Sequence, residues 1–277
     1  MNEKLIQLIF NRNANKLVSF YDLYEQVANE LLSRVEYLKF KKYVLLDLGS
    51  GLNIDSKILS KYFNKSLLLK IDFSLNILKL FGSKLKFYNK FFPKNQFDIC
   101  ANVYNLPIKN ESVDLVWSNM CLPFISDTKV LFKQVYSCLQ DNGLFVASSL
   151  GPQTFLQLDE LGLRKFDFID MHDLGDNLGN SGFSDIVVSS EIINLVYSDP
   201  LKFLEDIKLI GCGSSLNNYK YLTKNNYFKI KKKLDNLSYI NDLTLTIEVI
   251  FIHGWKNNLK NNTQKIKFLP SKYKNNV

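Results

Sequence analysis

The run at 43–53, YVLLDLGSGLN, constrains the fold of this chain more than any other stretch. Apolar residues lead into Asp47, and Gly49 and Gly51 then interrupt the run before an amphipathic segment at 54–63. This order predicts a buried strand, a tight turn and a helix, which together form a nucleotide-binding corner. Glycine has no side chain, so Gly49 and Gly51 would let a ligand approach the backbone closely.

The residues of this corner also predict which ligand it binds. The dinucleotide fingerprint has a third glycine after these two, which a pyrophosphate needs together with the helix amides behind it, whereas this turn continues with Asn53. Asp47 adds negative charge that would repel a pyrophosphate but would not repel a cation. The corner therefore fits S-adenosylmethionine (SAM), which carries a sulfonium and an ammonium group, better than it fits a dinucleotide.

Composition excludes several classes of protein. The chain has 277 residues, of which 46% are apolar, and this suits one large α/β domain or a domain with an inserted lid. No uninterrupted apolar run approaches the ~18 residues of a membrane span, and the N-terminus lacks the apolar segment of a signal peptide. Four scattered cysteines and only two histidines predict a reduced, cytoplasmic protein without a metal site.

Strand and helix patterns alternate along most of the chain, which predicts a mostly parallel sheet with both faces covered. The predicted strands lie at 44–48, 66–71, 97–103, 113–118, 144–149, 186–197 and 243–255. The predicted helices lie at 17–36, 54–63, 74–81, 130–139, 173–181, 200–210 and 220–237. We expect an N-terminal capping segment (1–40), a main domain (41–256) with a lid-like insertion (198–241), and a flexible tail rich in Lys and Asn (257–277).

Polar residues follow the predicted strands at the edge where open α/β sheets bind their ligands. Asp72 ends the second strand, and a carboxylate there can accept both hydroxyls of an adenosine ribose. Asn102 and Val103 end the third predicted strand, where the amide oxygen of Asn102 can accept from an adenine amino group. Asn119 follows the fourth strand, beside the expected methionine end of SAM. Each position alone is modest evidence, but their order and spacing support one SAM site.

Several segments resemble known proteins. LLDLGSG, LLLKIDFS, NLPIKNESVDLVWSN and LFKQVYSCLQDNGLFVASSLGP resemble the class I SAM-dependent methyltransferases over about residues 40–150. FNRNA, QVANELLSRV, FIDMHDLGDNLGNSGFSD, YSDPLKFLEDIKLIG and EVIFIHGWK extend the resemblance over nearly the whole chain, to the malonyl-acyl-carrier-protein O-methyltransferases of biotin synthesis. The resemblance implies a Rossmann-like fold with a mostly parallel seven-stranded sheet, an N-terminal capping helix and a lid before the last strand.

Two alternatives remain open from the sequence. A sister group of complex I assembly factors, which hydroxylate an arginine with the same fold, resembles the chain as closely. A SAM-fold protein that has lost catalysis and acts as a scaffold is the other alternative. Asn53, Asn102 and the Leu-Pro-Phe run at 122–124 depart from the usual enzyme pattern and favour this second alternative.

For the biotin family, the resemblance implies that the free carboxylate of a malonyl thioester attacks the SAM methyl group. The products would be a methyl ester and S-adenosylhomocysteine. A carboxylate with a pKa of about 4 is already ionised at neutral pH, so no general base is expected. A buried substrate carboxylate does need donors. Arg12 in FNRNA, one of only 3 arginines, is the first candidate, and Tyr21 is the second.

The partner that the resemblance implies is an acidic acyl-carrier protein. The net charge of the chain is +8, which reflects its lysine-rich composition and would also attract such a partner. We expect a basic rim from one group of lysines in the lid-like insertion: Lys220, Lys224, Lys229, Lys231, Lys232 and Lys233. No aromatic-basic RNA-binding motif is visible, so nucleic acid is not expected as a partner. A monomer is the expected state for this architecture.

Overall fold

A computed structural model describes residues 3–39, 41, 43–82, 95–160, 167–210, 232 and 243–257. Its sheet has seven strands in the order β3-β2-β1-β4-β5-β7-β6. The strands are β1 (Val44–Leu48), β2 (Leu67–Asp72), β3 (Gln96–Cys100), β4 (Val113–Ser118), β5 (Leu139–Leu150), β6 (Ser184–Tyr197) and β7 (Leu243–Lys256). β1 to β5 pair in parallel, whereas β7 runs antiparallel between β5 and β6. The expected mostly parallel, seven-stranded α/β fold is confirmed.

Helices accompany the strands along the described chain. They are α1 (Glu3–Asn13), α2 (Tyr21–Val35), α3 (Ile54–Tyr62), α4 (Leu75–Phe81), α5 (Thr128–Cys138), α6 (Gln157–Glu160), α7 (Met171–Gly179) and α8 (Pro200–Ile210). Neighbouring residues of one strand, such as Leu45 and Leu46, belong to two different hydrophobic clusters. Because successive side chains of a strand point to opposite faces, both faces of the sheet are covered. None of the described helices is long and apolar enough to span a bilayer.

The direction of strand addition reverses at β1. The chain adds β2 and then β3 on one side of β1, and it returns to place β4 on the other side. Such a reversal opens a crevice at the carboxyl ends of the strands, where open α/β sheets bind ligands. The fold therefore gathers the residues that follow β1, β2 and β4 around one point.

The N-terminal segment is more elaborate than the single helix expected at 17–36. α1 is followed by a 3-10 helix, Ala14–Phe20, and then by α2. The 3-10 helix buries Ala14, Leu17 and Phe20. Because side chains three apart lie on one face of a 3-10 helix, this buried spacing fits the tighter turn. The helix predicted at 17–36 therefore began too early, because the apolar spacing of the 3-10 helix continues into α2.

The connection implied between the helix predicted at 130–139 and the strand predicted at 144–149 is absent. β5 begins at Leu139, directly after α5, so residues 141–143 lie inside the strand. The pairing with β4 shifts register here, because Val113 pairs with Leu139 but Leu115 pairs with Leu144. Asn142 takes a φ of 61°, which asparagine tolerates better than most residues. The polar triplet therefore marks an irregularity within a strand instead of a loop.

Part of the expected lid-like insertion is visible. α8 coincides with the helix predicted at 200–210. Apart from Lys232, which is helical and exposed, the rest of the predicted lysine cluster lies outside the described residues. Most of the expected tail, residues 258–277, lies outside them as well. The domain division therefore stays a prediction.

Candidate functional site

A cavity lies at the carboxyl ends of β1, β2 and β4, where the strand order reverses. It encloses about 940 Å³ of empty space, a volume that includes the open solvent at its mouth. We call its polar wall the floor; the floor is formed by Gly49, Gly51, Asp55, Asp72 and Asn119. We call its N-terminal apolar wall the roof; the roof is formed by Ile6, Phe10 and Leu17.

The glycine turn is built for close approach. Gly49 has a φ of 79° and Gly51 a φ of 43°, both in the left-handed region that favours glycine. The backbone amides of Gly49 and Ser50 donate to the carbonyl oxygen of Ile71, at 2.8 and 3.0 Å. A Cβ atom on Gly49 would lie 2.6 Å from the sulfur of Cys121. The first glycine is therefore required both by the backbone conformation and by the space on the floor.

Asn53 takes a left-handed backbone conformation where the glycine turn leads into α3. Its φ is 63° and its ψ is 24°, in the left-handed region. Its side-chain oxygen accepts a hydrogen bond from Nζ of Lys70 at 3.2 Å, and the same ammonium pairs with Asp98 at 2.6 Å. Asparagine is one of the few residues that visit this region routinely. The departure from the glycine pattern therefore leaves the turn intact.

Asp72 ties the end of β2 to the glycine turn. Its Oδ2 accepts from the amide of Gly51 at 3.0 Å, and its Oδ1 accepts from the amide of Ser74 at 2.8 Å. Burial raises the pKa of this carboxyl to about 6, against the lowering effect of these backbone donors. Ser74 caps α4 by accepting from the amide of Ile77. The carboxylate of Asp72 is thus held at the floor by backbone groups.

Asp47 lies behind the glycine turn and is not among the described residues that line the cavity. Its Oδ2 accepts from the hydroxyl of Ser56 at 2.5 Å. Its Oδ1 has no hydrogen-bond partner within the described part of the chain. Burial first, and the nearby carboxylate of Asp55 second, raise the pKa of Asp47 well above its ordinary value. Asp47 is therefore buried beneath the floor and does not itself contact the cavity.

Asp55, which the sequence analysis missed, reaches the floor from the first turn of α3. Its Oδ1 accepts from the indole N–H of Trp117 at 2.7 Å, and its Oδ2 accepts from the side-chain amide of Asn119 at 3.4 Å. Burial raises its pKa to about 6, while these two donors oppose the shift. An acidic residue in a first helical turn ordinarily complements the helix dipole, so its position alone gave no functional signal.

Asn119 joins the floor to the N-terminal helices. Its amide N–H donates to the carbonyl oxygen of Tyr24 in α2 at 3.0 Å, and its oxygen accepts from the hydroxyl of Ser148 at 2.7 Å. The same hydroxyl accepts from the amide of Met120 at 2.8 Å. Asn119 is therefore fixed by side chains and backbone from two other elements.

Asn102 and Val103 line the cavity, but β3 ends at Cys100, so they lie in the turn after the strand and not within the strand predicted at 97–103. The side-chain oxygen of Asn102 accepts from the amide of Tyr104 at 3.0 Å, which shapes the turn. The hydroxyl of Tyr104 in turn accepts from the amides of Ser126 and Asp127, at 2.7 and 3.1 Å. This wall of the cavity is therefore tied to the segment before α5.

The roof packs on the segment that follows Asp72. The ring of Phe10 makes edge contacts with Phe73 and Phe124, at centroid distances of 5.7 and 4.8 Å. The side-chain amide of Gln7 donates to the carbonyl oxygen of Phe73 at 2.6 Å, and the hydroxyl of Ser74 donates to Oδ1 of Asn11 at 2.5 Å. α1 is therefore held over the cavity by aromatic packing and by polar contacts.

Arg12 and Tyr21 are not among the described residues that line the cavity. Arg12 is exposed in the last turn of α1. The Tyr21 hydroxyl lies 3.4 Å from the carboxylate of Glu25 and 3.5 Å from Nζ of Lys57. Either residue could therefore bind a substrate carboxylate only from a position outside this lining.

The charge of the described lining suits a cation. Asp55 and Asp72 line the cavity, and no lysine, arginine or histidine is found among the described residues around it. Most of the remaining wall is apolar, so ionic contacts inside are weakly screened by water. Gly49, the orphaned oxygen of Asp47 and the two floor carboxylates together fit a small positively charged nucleoside. The site as described would disfavour a dinucleotide pyrophosphate.

Comparisons with known proteins agree with this geometry. The methyltransferase domain family matches residues 46–147. A malonyl-[acyl-carrier protein] O-methyltransferase from Nitrosospira multiformis is 30% identical over 92% of this chain and 90% of the relative. The protein of that name from Gallionella capsiferriformans is 29% identical over 92% of this chain and 91% of the relative. A solved Haemonchus contortus phosphoethanolamine N-methyltransferase 2, in complex with SAM, shares the fold, with a TM-score of 0.53 and 20% identity over 83% of this chain and 52% of that one.

Proposed function

The chain belongs to the malonyl-[acyl-carrier protein] O-methyltransferase family, and we propose that it methylates the free carboxylate of malonyl-acyl-carrier protein with SAM as the methyl donor. The observation that carries this proposal is the 30% identity to a relative of that name over 92% of this chain. The product would be the methyl ester with which biotin synthesis begins.

The cavity supports SAM as the methyl donor. We propose that Gly49 and Gly51 admit the ligand to the backbone, and that Asp47 contributes negative charge from beneath. Asp72 would accept from the ribose hydroxyls, while Asn102 and Val103 would contact the adenine. Asn119 would contact the methionine part. The two carboxylates of the floor support this assignment, because a cationic ligand offsets the cost of burying them.

For this reaction the protein mainly has to position the two reactants, SAM and the acceptor carboxylate. SAM supplies an electrophilic methyl group on its sulfonium sulfur. An acceptor carboxylate is already ionised at neutral pH, so the floor needs no general base to create the nucleophile. Alignment of two bound reactants is worth about 7–11 kcal/mol. The roof would contribute by keeping water away from the reacting groups.

The acceptor requires hydrogen-bond donors that the described cavity supplies sparingly. The side-chain amide of Asn119 already donates to Tyr24 and Asp55, and Tyr24, which carries a hydroxyl, also lines the cavity. Arg12 and Tyr21 remain our proposed contacts for the acceptor carboxylate, acting from outside the lining. An acidic carrier protein is the proposed partner of this chain of net charge +8, and the cytoplasm is the proposed compartment.

The decisive experiment is transfer of a labelled methyl group from SAM to malonyl-acyl-carrier protein. We expect a base-labile methyl ester on the malonyl group and no transfer to acetyl-acyl-carrier protein, which lacks a free carboxylate. Malonyl-coenzyme A in a parallel reaction tests whether the carrier protein itself is recognised. If SAM binds in calorimetry but no malonyl thioester is methylated, the proposed acceptor is wrong.

Arg12→Gln tests the proposed acceptor contact within the same assay. Loss of a charge-assisted hydrogen bond predicts a rise in the KM for malonyl-acyl-carrier protein of about 10-fold. The affinity for SAM should be unchanged, because Arg12 does not line the described cavity. An unaltered KM would remove Arg12 from the acceptor site.

A further inference from the structure

Asp55 is a buried carboxylate that lines the cavity without a cationic partner among the described residues. Only 6% of its surface is exposed. The ion pairs of the described chain do not include it, and its two side-chain hydrogen bonds come from the neutral groups of Trp117 and Asn119. A buried charge is costly unless a cation or several donors compensate it. Asp55 therefore has the properties of a group that binds a cationic ligand.

The surroundings of Asp55 hold its carboxylate in one place. Trp117, which donates to Oδ1 at 2.7 Å, is fully buried in β4. Asn119, which donates to Oδ2, is itself fixed by Ser148 at 2.7 Å and by the carbonyl oxygen of Tyr24 at 3.0 Å. Binding groups whose neighbours are already fixed lose little freedom when a ligand arrives. The carboxylate is thus pre-organised by β4, β5 and α2.

The hydrogen bonds also leave Asp55 able to accept more. An ionised carboxylate has about four lone-pair sites; Trp117 and Asn119 occupy two of them, and the backbone amide of Asp55 itself also donates to the carboxylate. A ligand that fills the remaining sites should carry both positive charge and N–H donors. An ammonium group meets both conditions, whereas a sulfonium group carries charge but no N–H donor.

We propose that Asp55 binds the α-ammonium group of the methionine part of SAM, an inference that rests on the proposed methyl donor. The neighbourhood supports this choice, because Asn119, our proposed contact of the methionine part, donates to the same carboxylate. Asp72 is bonded to Gly51 and Ser74 instead, so the two floor carboxylates belong to different parts of the wall. Asp55 would then recognise the amino-acid end of the ligand and Asp72 the ribose.

Calorimetry on two proteins with two ligands tests this assignment, and the experiment needs no methyl acceptor. The ligands are S-adenosylhomocysteine and its analogue without the amino group, and the proteins are wild type and Asp55→Asn. Removal of the amino group should weaken binding to wild type about 10- to 100-fold, the range of a lost charge-assisted hydrogen bond. In Asp55→Asn the same removal should cost less than about 3-fold, because the partner is already gone.

Other outcomes overturn the proposal. An equal loss of both ligands in Asp55→Asn would mean that Asp55 only supports the fold of the cavity. Weaker binding of SAM with unchanged binding of S-adenosylhomocysteine would assign Asp55 to the sulfonium. Asp114→Asn is the matched control, since Asp114 is buried and accepts from the amides of Tyr43 and Val44 away from the cavity. It should leave every affinity unchanged.

Wild-type protein gives a second test that does not depend on the folding of a variant. The advantage of S-adenosylhomocysteine over its deaminated analogue should be large at pH 7.5 and should shrink below pH 6, as Asp55 becomes protonated. An advantage that does not change with pH would exclude a titrating carboxylate as the partner. Methylation of malonyl-acyl-carrier protein is measured separately, so failure of the acceptor assignment leaves this test intact.

Discussion

The two walls of the cavity are built on different principles. The floor comes from the ends of parallel strands and the first turn of α3, and it carries carboxylates, an amide and a glycine turn. The roof comes from the N-terminal α1 and the 3-10 helix, and it presents only apolar side chains: Ile6, Phe10 and Leu17. The floor can therefore recognise a charged ligand, while the roof can exclude water and strengthen that recognition. Changes in the floor should accordingly alter ligand affinity more than changes in the roof.

Gly49→Ala should give the largest effect, because it strikes the backbone of the floor. The new Cβ would meet the Cys121 sulfur at 2.6 Å with a φ of 79°. Left-handed strain costs about 1–2 kcal/mol and overpacking about 1–3 kcal/mol. We expect SAM affinity in calorimetry to fall about 100-fold or more. Gly179→Ala, where the added carbon would lie 3.5 Å from Ile186, is the control and should bind normally.

Asp72→Asn should weaken SAM binding by about 10- to 100-fold, the range expected for a lost charge-assisted hydrogen bond. The comparison variant is again Asp114→Asn, which removes a buried carboxylate with two backbone donors far from the floor. Both variants should lower the unfolding temperature, but only Asp72→Asn should change the affinity. Wild-type affinity in Asp72→Asn would show that the ribose is held elsewhere.

Acidic pH should weaken SAM binding through the floor. The pKa values of Asp55 and Asp72 are both raised to about 6, so protonation between pH 7 and pH 5 removes the charges that favour a cation. We expect an affinity loss of about 10-fold per carboxylate over this interval. A double variant, Asp55→Asn with Asp72→Asn, should show a much shallower profile, because Asp47, whose pKa is also raised, is the carboxylate that remains. An equally steep profile in that variant would assign the titration to other groups.

Asp55 and Asp72 should also make the folding stability depend on pH. Acidic pH should favour the folded state, whereas it weakens SAM binding. Their pKa values in the folded state lie above the ordinary value of about 3.9, so the folded state binds protons more tightly than the unfolded state. The stability they contribute is complete below the ordinary value and is lost as the pH rises through about 6. The ligand-free double variant should therefore lose less stability than wild type between pH 5 and pH 7 in denaturant titrations.

Gln7→Ala should give the smallest effect, because it loosens the roof without touching the floor. The variant removes one hydrogen bond to the carbonyl oxygen of Phe73. A neutral hydrogen bond is worth about 0.5–1.5 kcal/mol, which limits the loss of SAM affinity to about 2- to 10-fold. Leu8→Ala, on the exposed side of the same helix, is the control. A loss of SAM affinity as large as that of Asp72→Asn would show that the floor and the roof do not differ in their effect on binding.

The sequence predicted the floor better than the roof for a physical reason. Strand ends can be located from local patterns, so Gly49, Gly51, Asp72, Asn102 and Asn119 were all placed at the cavity. The direction of a side chain depends on packing, and the sequence could not show that Asp47 points towards Ser56. Nor could it bring Asp55 beside Trp117, which lies 62 residues away in the chain.

The sequence did not predict the roof, because the contacts of the roof are long-range. α1 has no strong apolar run, and its anchors, Gln7 and Asn11, reach residues more than 60 positions away. The sequence did not predict the irregularity of β5 either, because there the local signal was misleading. A polar triplet after a helix is typical of a turn, and pairing with β4 overrode that local preference. Local signals were therefore reliable where a strand ended and unreliable where tertiary contacts decided the conformation.

The indole of Trp117 gives the site an optical property of its own. It is one of only two tryptophans in the chain, it is fully buried, and its N–H is bonded to the Asp55 carboxylate. The emission of an indole responds to charge beside its ring, so a cation that neutralises Asp55 should shift it. Intrinsic fluorescence would then report occupancy of the amino-acid end of the cavity directly, without label or acceptor, and Trp255→Phe would isolate the signal.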